Sequence, residues 1–239
     1  MAKCFMRVFG KMSMLWVVSL LYVLFISPLW AVVIYDNSQN DLLGRFNPGR
    51  IEIGDEIGLA GTERFLTYFS FEFWGTNTAK PDNSSFAGVV EARVRFYLND
   101  GPPDANGYIT PGTVFYDSLW FGGFSPTPRS TFIFTEGADF PSGGLFIPAD
   151  RMTWSVQFRG MQPTDTLGVD IYCPPAVGWN WNDYWENLSG WALLQNMNAP
   201  NGQMNFGAYM EAVPEPSAVA ILLIGGGMML LARRSPRRE

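Results

Sequence analysis

Trp179-Asn180-Trp181-Asn182-Asp183-Tyr184-Trp185-Glu186 places four aromatic rings and two carboxyl groups within eight residues. Aromatic faces stack on sugar rings, and Asn, Asp and Glu bond hydroxyls, so Trp179, Trp181, Asp183, Trp185 and Glu186 form a candidate glycan contact. The competing use, and the commoner one for Trp, is packing beneath a long loop between strands. A glycosidase would need two carboxyl groups facing each other across a cleft, one with a raised pKa. Asp183 and Glu186 could be nominated for that role, but nothing in the sequence selects a pair among the acids of the body.

The chain has 239 residues and no His. Neither a Ser-His-Asp nor a Cys-His nucleophile can be assembled, and no His-ligated metal site either. Cys4 and Cys173 are the only thiols. Export would remove Cys4 and leave Cys173, before Pro174-Pro175, with no disulfide partner and no His to activate it. A small buried hydrophobe is the expected role. Two loops cluster oxygen ligands suited to calcium, Asp36-Asn37-Ser38-Gln39-Asn40-Asp41 and Asp100-Gly101-Pro102-Pro103-Asp104-Ala105-Asn106-Gly107. Neither has EF-hand spacing, and ordinary turn chemistry accounts for both. The expectation is a protein with no catalytic residues and no resident metal.

Charge is segregated. Between Asp36 and Glu215 lie nine basic residues and 21 acids, a net charge of −12. Such a surface repels phosphate backbones, which excludes nucleic acid as the partner.

The two ends read as addresses. Lys3, Arg7 and Lys11 precede an uncharged run from Met12 to Tyr35, which contains Ser27-Pro28-Leu29-Trp30-Ala31. A basic start, an apolar stretch and a small residue are the parts of a signal peptide cleaved after Ala31; an uncleaved signal anchor is the alternative. Near the other end, Val213-Pro214-Glu215-Pro216-Ser217 leads into fifteen uncharged residues, Ala218 to Ala232, and then Arg233-Arg234-Ser235-Pro236-Arg237-Arg238-Glu239. As a helix that run spans roughly 22 Å, short of a hydrocarbon core of ~30 Å. Gly225, Gly226 and Gly227 weaken it further. The arginines hold the terminus in the cytoplasm and put the body outside. Two prolines forbid the membrane helix from running through them, and Glu215 resists lipid, which leaves an extended tripeptide at the outer face.

These residues resemble the PEP-CTERM sorting signal of bacteria that make extracellular polysaccharide: a Val-Pro-Glu-Pro-like motif, a short apolar helix and an Arg-rich end. The resemblance implies recognition by an exosortase, a membrane enzyme thought to cleave near the motif and pass the protein to the cell surface or matrix. Carried over residue by residue, Pro214, Glu215 and Pro216 are the recognition motif, and Arg233, Arg234, Arg237 and Arg238 the retention cluster. Pro236 and Glu239 depart from the pattern and leave the basic excess intact. An ordinary tail anchor with a proline-containing stalk is the alternative. The implied partners are the exosortase, the inner membrane before processing, and exopolysaccharide.

The body between the addresses reads as strands. Val90, Ala92, Val94, Phe96 and Leu98 alternate with Glu91, Arg93, Arg95 and Tyr97; Met152, Trp154, Val156 and Phe158 alternate with Thr153, Ser155, Gln157 and Arg159. Phe65, Thr67, Phe69, Phe71 and Phe73 line one side of a third strand, and Leu167, Val169 and Ile171 a fourth. Weaker strands are expected over 51–57, 114–121, 131–135, 145–147, 191–194 and 206–212. Asn47-Pro48-Gly49, Thr110-Pro111-Gly112, Ser125-Pro126-Thr127-Pro128 and Pro141-Ser142-Gly143-Gly144 separate them. The fold class is all-β, a jelly-roll-like β-sandwich over 32–212, flanked by a signal-peptide helix over 1–31 and a sorting signal with a short transmembrane helix over 213–239. The body also resembles the β-rich domain often found upstream of this signal, through Asp36-Asn37-Ser38, the stretch from Ala92 to Pro102, Trp154-Ser155-Val156-Gln157-Phe158, and Tyr184-Trp185-Glu186-Asn187 with Gly190-Trp191. That likeness implies a secreted domain and no molecular activity. Sequence alone thus leads to an exported, non-enzymatic surface or matrix protein, with a secreted carbohydrate-binding module as the alternative.

Overall fold

A computed structural model describes residues 30–80, 82, 84–195 and 199–214. The signal-peptide segment before Trp30, Glu215, Pro216 and the arginines Arg233, Arg234, Arg237 and Arg238 lie outside the described residues. Among the described residues no helix is long and apolar enough to cross a membrane.

Two antiparallel sheets form the body. The first has the order β1 (Val32–Asp36), β15 (Ala208–Val213), β4 (Phe65–Asn77), β11 (Asp165–Tyr172) and β2 (Asp41–Phe46), with β8 (Thr127–Thr135) and β9 (Leu145–Phe146) also on β4. β4 organises this sheet because it is long enough for two neighbours on one edge. β15 pairs with Phe65 to Phe71 and β11 with Phe73 to Asn77, while β8 occupies the opposite edge. The second sheet has the order β14 (Trp191–Leu194), β13 (Tyr184–Asn187), β3 (Glu52–Gly58), β10 (Arg151–Arg159), β5 (Glu91–Tyr97) and β6 (Val114–Asp117). The short β12 (Trp179–Asn180) joins β3, and β7 (Phe121–Gly122) joins β5.

The inner faces meet in an aromatic layer. Phe69 contacts Phe96 at 5.0 Å, Trp154 at 5.5 Å and Phe134 at 5.7 Å between ring centroids, and Phe71 adds Trp154 at 5.6 Å. Phe69, Phe71, Phe96, Trp154 and Phe158 are all fully buried. Burying one such side chain contributes about 1.5–3 kcal/mol, so this layer outweighs any single polar contact in the sandwich.

The expected alternation holds for β5, β10 and β11, with two departures. Phe65 and Thr67 do not share a face with Phe69, Phe71 and Phe73. The register steps from Tyr68↔Glu211 to Leu66↔Ala212, so Thr67 is the extra residue of a bulge. Side-chain parity reverses there: Leu66 is fully buried, and Phe65 turns to the Phe146 ring at 5.3 Å. On β10, Thr153 and Ser155 are as fully buried as the apolar residues they alternate with. Thr153 donates its hydroxyl to Asn99 Oδ1 at 2.8 Å, and Ser155 belongs to a polar network centred on Glu52, whose Oε1 accepts the Tyr97 hydroxyl at 2.8 Å and the Ser155 hydroxyl at 2.6 Å. Its Oε2 accepts from Arg95 and from Asn187. The expected break at Ser125-Pro126-Thr127-Pro128 is partly strand: Thr127 and Pro128 begin β8, whose one partner is β4, and Pro128 is tolerated on such an edge.

On the outside of the first sheet, Asp170 is fully buried with neither oxygen hydrogen-bonded. Arg45 and Arg129 roof it at 3.5 and 3.7 Å. Burial pushes its pKa up to about 6 against the pull of both arginines. The unfolded chain releases this proton near pH ~4, so stability falls as pH rises from there to about 6 and the penalty persists above. Asp170→Asn should therefore raise the melting temperature by a few degrees at pH 7–8, on the order of 1 kcal/mol, and give no gain at pH 4. Thermal melts of both proteins across that range check the sign.

Candidate functional site

A cleft of about 260 Å³ opens on the outer face of the second sheet. Its floor comes from the strand Glu52-Ile53-Gly54-Asp55-Glu56-Ile57-Gly58, which sends Ile53, Asp55 and Ile57 to the core and Glu52, Gly54, Glu56 and Gly58 outward. Glu56 lies on the floor with Asn99 and Arg151.

The sheet curls to make the walls. β14 and β5 are four strand spacings apart, about 19 Å if the sheet were flat. The Trp191 ring on β14 nevertheless meets the Tyr97 ring on β5 edge-on, with centroids 5.3 Å apart. The β13–β14 hairpin is thereby folded over the outer face, and the Leu193 N–H reaches Asp104 Oδ2 of the β5–β6 loop at 3.5 Å. Trp185 and Leu193 are direct cross-strand partners, and both line the cleft. The β5–β6 loop supplies Tyr108 and Ile109 to the facing wall, and the segment before β13 supplies Trp181 and Asp183.

That segment is fastened from below. Asn180 Nδ2 donates to the Tyr35 hydroxyl at 2.9 Å, and Asn205 Nδ2 donates to the Trp181 carbonyl. Trp179 lies against Gly58, where a Cβ would fall 1.9 Å from the indole Cε2. It meets Trp181 edge-on with centroids 4.2 Å apart. The Arg151 guanidinium sits 5.8 Å from the Trp181 ring centroid and 3.7 Å from Glu56 Oε1.

The aromatic segment therefore divides by role. Trp181, Asp183 and Trp185 line the cleft; Trp179 braces Trp181 from outside it. Glu186 faces the other way, its Oε1 accepting the Tyr184 hydroxyl at 2.9 Å on the side where Tyr184 packs on Phe46 and Phe206. Asp183 and Glu186 are thus not a facing pair. Sequence reasoning missed Glu56, Asn99, Tyr108, Ile109, Arg151 and Leu193; the one local signal was the alternation of Glu and Gly along β3, since small residues on an exposed strand face leave room for a neighbour.

Electrostatics of the cleft are acidic and partly desolvated. Burial raises the Glu56 carboxyl, Arg151 opposes that, and Asp183 reinforces it. Burial also raises Asp183. Two donors are left over. Trp185 is 1% exposed, and its Nε1, like Asn99 Nδ2, has no hydrogen-bond partner. Both groups lean on Glu56 closely enough to lower its pKa, yet outside hydrogen-bond geometry. Trp181 keeps 38% of its surface exposed beside them. The arrangement can accept and donate several hydrogen bonds next to an aromatic face.

A larger groove, about 450 Å³, lies beside Arg50, Met161 and Asp165. Its two charged groups are already engaged: Asp165 accepts the N–H groups of Ala87, Gly88 and Gln162 at 2.7–3.0 Å, and Arg50 donates to the Met161 carbonyl. The candidate calcium loops are likewise turns held by their own carboxylates. Asp36 Oδ1 accepts the Ser38 N–H and hydroxyl, Asp104 Oδ1 the N–H groups of Asn106 and Tyr108, and Asp100 both donors of Thr113. Among the described residues no three His, Cys, Asp or Glu side chains are grouped to hold a metal ion. Cys173 is half-buried, its thiol 2.9 Å from Gln203 Oε1, and burial followed by Asp55 raises its pKa, which makes a poor nucleophile.

The fold defines the class: an all-β domain of two packed antiparallel sheets. Comparison with protein-family models, with curated proteins and with solved structures finds no match to this chain.

Gly58→Ala should displace Trp179 and unseat Trp181, at a stability cost of about 1–3 kcal/mol. A shift in tryptophan emission together with a lowered denaturation midpoint checks it.

Proposed function

We propose that this chain is an exported surface or matrix protein, sorted and cleaved by an exosortase at Pro214, Glu215 and Pro216. The observation that carries the reading is the order of parts at the C-terminus: the Pro-Glu-Pro motif, a short Gly-weakened apolar run, and Arg233, Arg234, Arg237 and Arg238. The protein is a substrate in this chemistry, and the body, read more finely as a jelly-roll-like sandwich, is its cargo.

The geometry of the body supports the reading in two ways. β1 begins at Val32, directly after Ala31, and β15 ends at Val213, directly before an exposed Pro214. Cuts after Ala31 and beyond Val213 would leave every strand of both sheets whole. In addition, Val32 pairs with Ala212, so the chain enters and leaves the body at the same corner.

A second reading concerns what the exported body does. The cleft beside Trp181 favours a saccharide-binding module, because an exposed indole adjoins the Glu56 and Asp183 carboxylates and the Arg151 guanidinium on one lining.

Replacing Pro214-Glu215-Pro216 by three alanines tests the sorting proposal in the native host. Wild-type protein from envelope and matrix fractions should have an intact mass lacking the leader and the residues after the motif. The variant should stay in the membrane fraction with Ala218 to Glu239 attached. Unchanged processing of the variant, or a wild-type mass that retains those residues, overturns it and leaves a plain anchor.

A further inference from the structure

We propose that the cleft takes an amino sugar whose nitrogen is free and protonated, with the ammonium group against Asp183. The inference rests on the saccharide reading and names the class of sugar.

Asp183 is the group on the lining that the protein leaves unmatched. Glu56 has Arg151 at 3.7 Å, and Trp185 and Asn99 lean on it from the cleft wall. Among the described residues, by contrast, no hydrogen bond or ion pair reaches the half-buried Asp183 carboxylate. Burial alone raises its pKa, with no arginine pulling the other way, and it in turn pushes up Glu56 beside it. A carboxylate partly withdrawn from water with no partner of its own is costly to keep ionised, and a cation brought by a ligand offsets that cost. A sugar hydroxyl could donate one hydrogen bond there but would leave the charge, and the repulsion from Glu56, as they were. An ammonium group has three donors and cancels the charge as well.

The surroundings favour the same choice. Arg151, the cation on the lining, is held between Glu56 and the Trp181 ring, so it is not a free counter-ion for Asp183. Nine basic residues against 21 acids between Asp36 and Glu215 give the body a field that draws cations toward it. A uronate or sulfated sugar would add an anion to an acidic lining, and an acetylated nitrogen carries no charge to meet Asp183; both are selected against.

The wall makes the ligand a sugar and not a bare amine. Trp181, 38% exposed, and Tyr108 line the cleft with Asp183, and their rings suit the C–H side of a pyranose. Trp181 and Asp183 are two residues apart on the segment that Asn180 and Asn205 fasten to the body, so stacking surface and carboxylate are held together before any ligand arrives. At about 260 Å³ the cleft lies below the range of roughly 300–1,000 Å³ typical of larger ligands, so it admits one sugar unit of a chain.

Calorimetric titration of the full chain, in an uncharged non-glycosidic detergent just below neutral pH, tests this with four probes. These are the matched disaccharides of glucosamine, N-acetylglucosamine and glucose, and ethanolamine as an amine without a sugar ring. The glucosamine disaccharide should bind about tenfold or more tighter than the other two sugars, and ethanolamine should give no heat. Asp183→Asn should bring the glucosamine disaccharide down to the level of the glucose one. Trp181→Ala should abolish binding of all three sugars, and both variants should melt like the parent. Equal or tighter binding of an uncharged disaccharide, lost in Trp181→Ala, overturns the ammonium assignment and keeps the saccharide reading. A preference for glucosamine that survives Asp183→Asn also overturns the assignment, since it reports the diffuse field of an acidic body. Ethanolamine that binds as tightly as the amino sugar overturns the saccharide reading and leaves a cation site. No heat with any probe overturns both.

Discussion

Trp191 rests edge-on against Tyr97 across three intervening strands, and the same Tyr97 donates its hydroxyl to the buried Glu52. An aromatic pair of this kind is worth about 0.5–1.5 kcal/mol beyond its area. Its structural effect is larger than that figure, because it fixes how far the second sheet bends. A flat sheet would present the outer side of β3 to solvent as a row of acids and glycines. In the curled sheet, Glu52 becomes the hub of a satisfied network, and Glu56 becomes the floor of a cleft. The two carboxylates sit four residues apart on one strand face, and opposite environments give them opposite roles. Glu52 accepts four hydrogen bonds; Glu56 has an arginine at 3.7 Å, with Trp185 and Asn99 leaning on it from the cleft wall.

The inside of the sandwich works by a simpler rule. Large apolar and aromatic side chains at every second position interdigitate between the sheets, and nearly all of the stabilising area is there. Polar groups that intrude carry a measurable burden. Asp55 is the clearest case: it faces the core, accepts the Phe206 N–H with one oxygen, leaves the other unpaired, and has its pKa driven well up by burial. Asp170 carries a similar burden on the opposite side of the molecule. An acidic protein thus keeps part of its acidity in places where neutralisation favours the fold.

Legibility in the sequence followed periodicity. Val90 to Leu98 and Met152 to Arg159 announced themselves because two-residue alternation is what a strand with distinct faces must show. Thr67 was illegible, since one inserted residue leaves no mark in composition and shows only in the pairing partner. β1, β2, β12 and β13 were not expected as strands; they are short, and Asp41, Gly44, Asn180 and Asn187 within them are typical of turns. The site was half legible. Trp181, Asp183 and Trp185 could be picked out because aromatic and acidic residues crowd a short segment, but Trp179 and Glu186 from that segment belong elsewhere. Glu56, Asn99 and Arg151 come from three strands or strand ends far apart in the chain. Their convergence is a property of sheet order, which no local pattern encodes.

β15 lies between β1 and β4, hydrogen-bonded along both edges, whereas β1 has β15 on one edge and on the other, among the described residues, a few bonds to Ala176, Val177 and Ala60 and no strand ladder. The two ends of the body therefore differ as mechanical attachment points. Tension applied beyond Val213 along the strand loads two ladders in shear, with all their bonds resisting together. Tension applied before Val32 can peel an edge strand one bond at a time. A body tethered through its last strand would carry load on the reinforced side, and a free first strand would be spared the force that could unravel it.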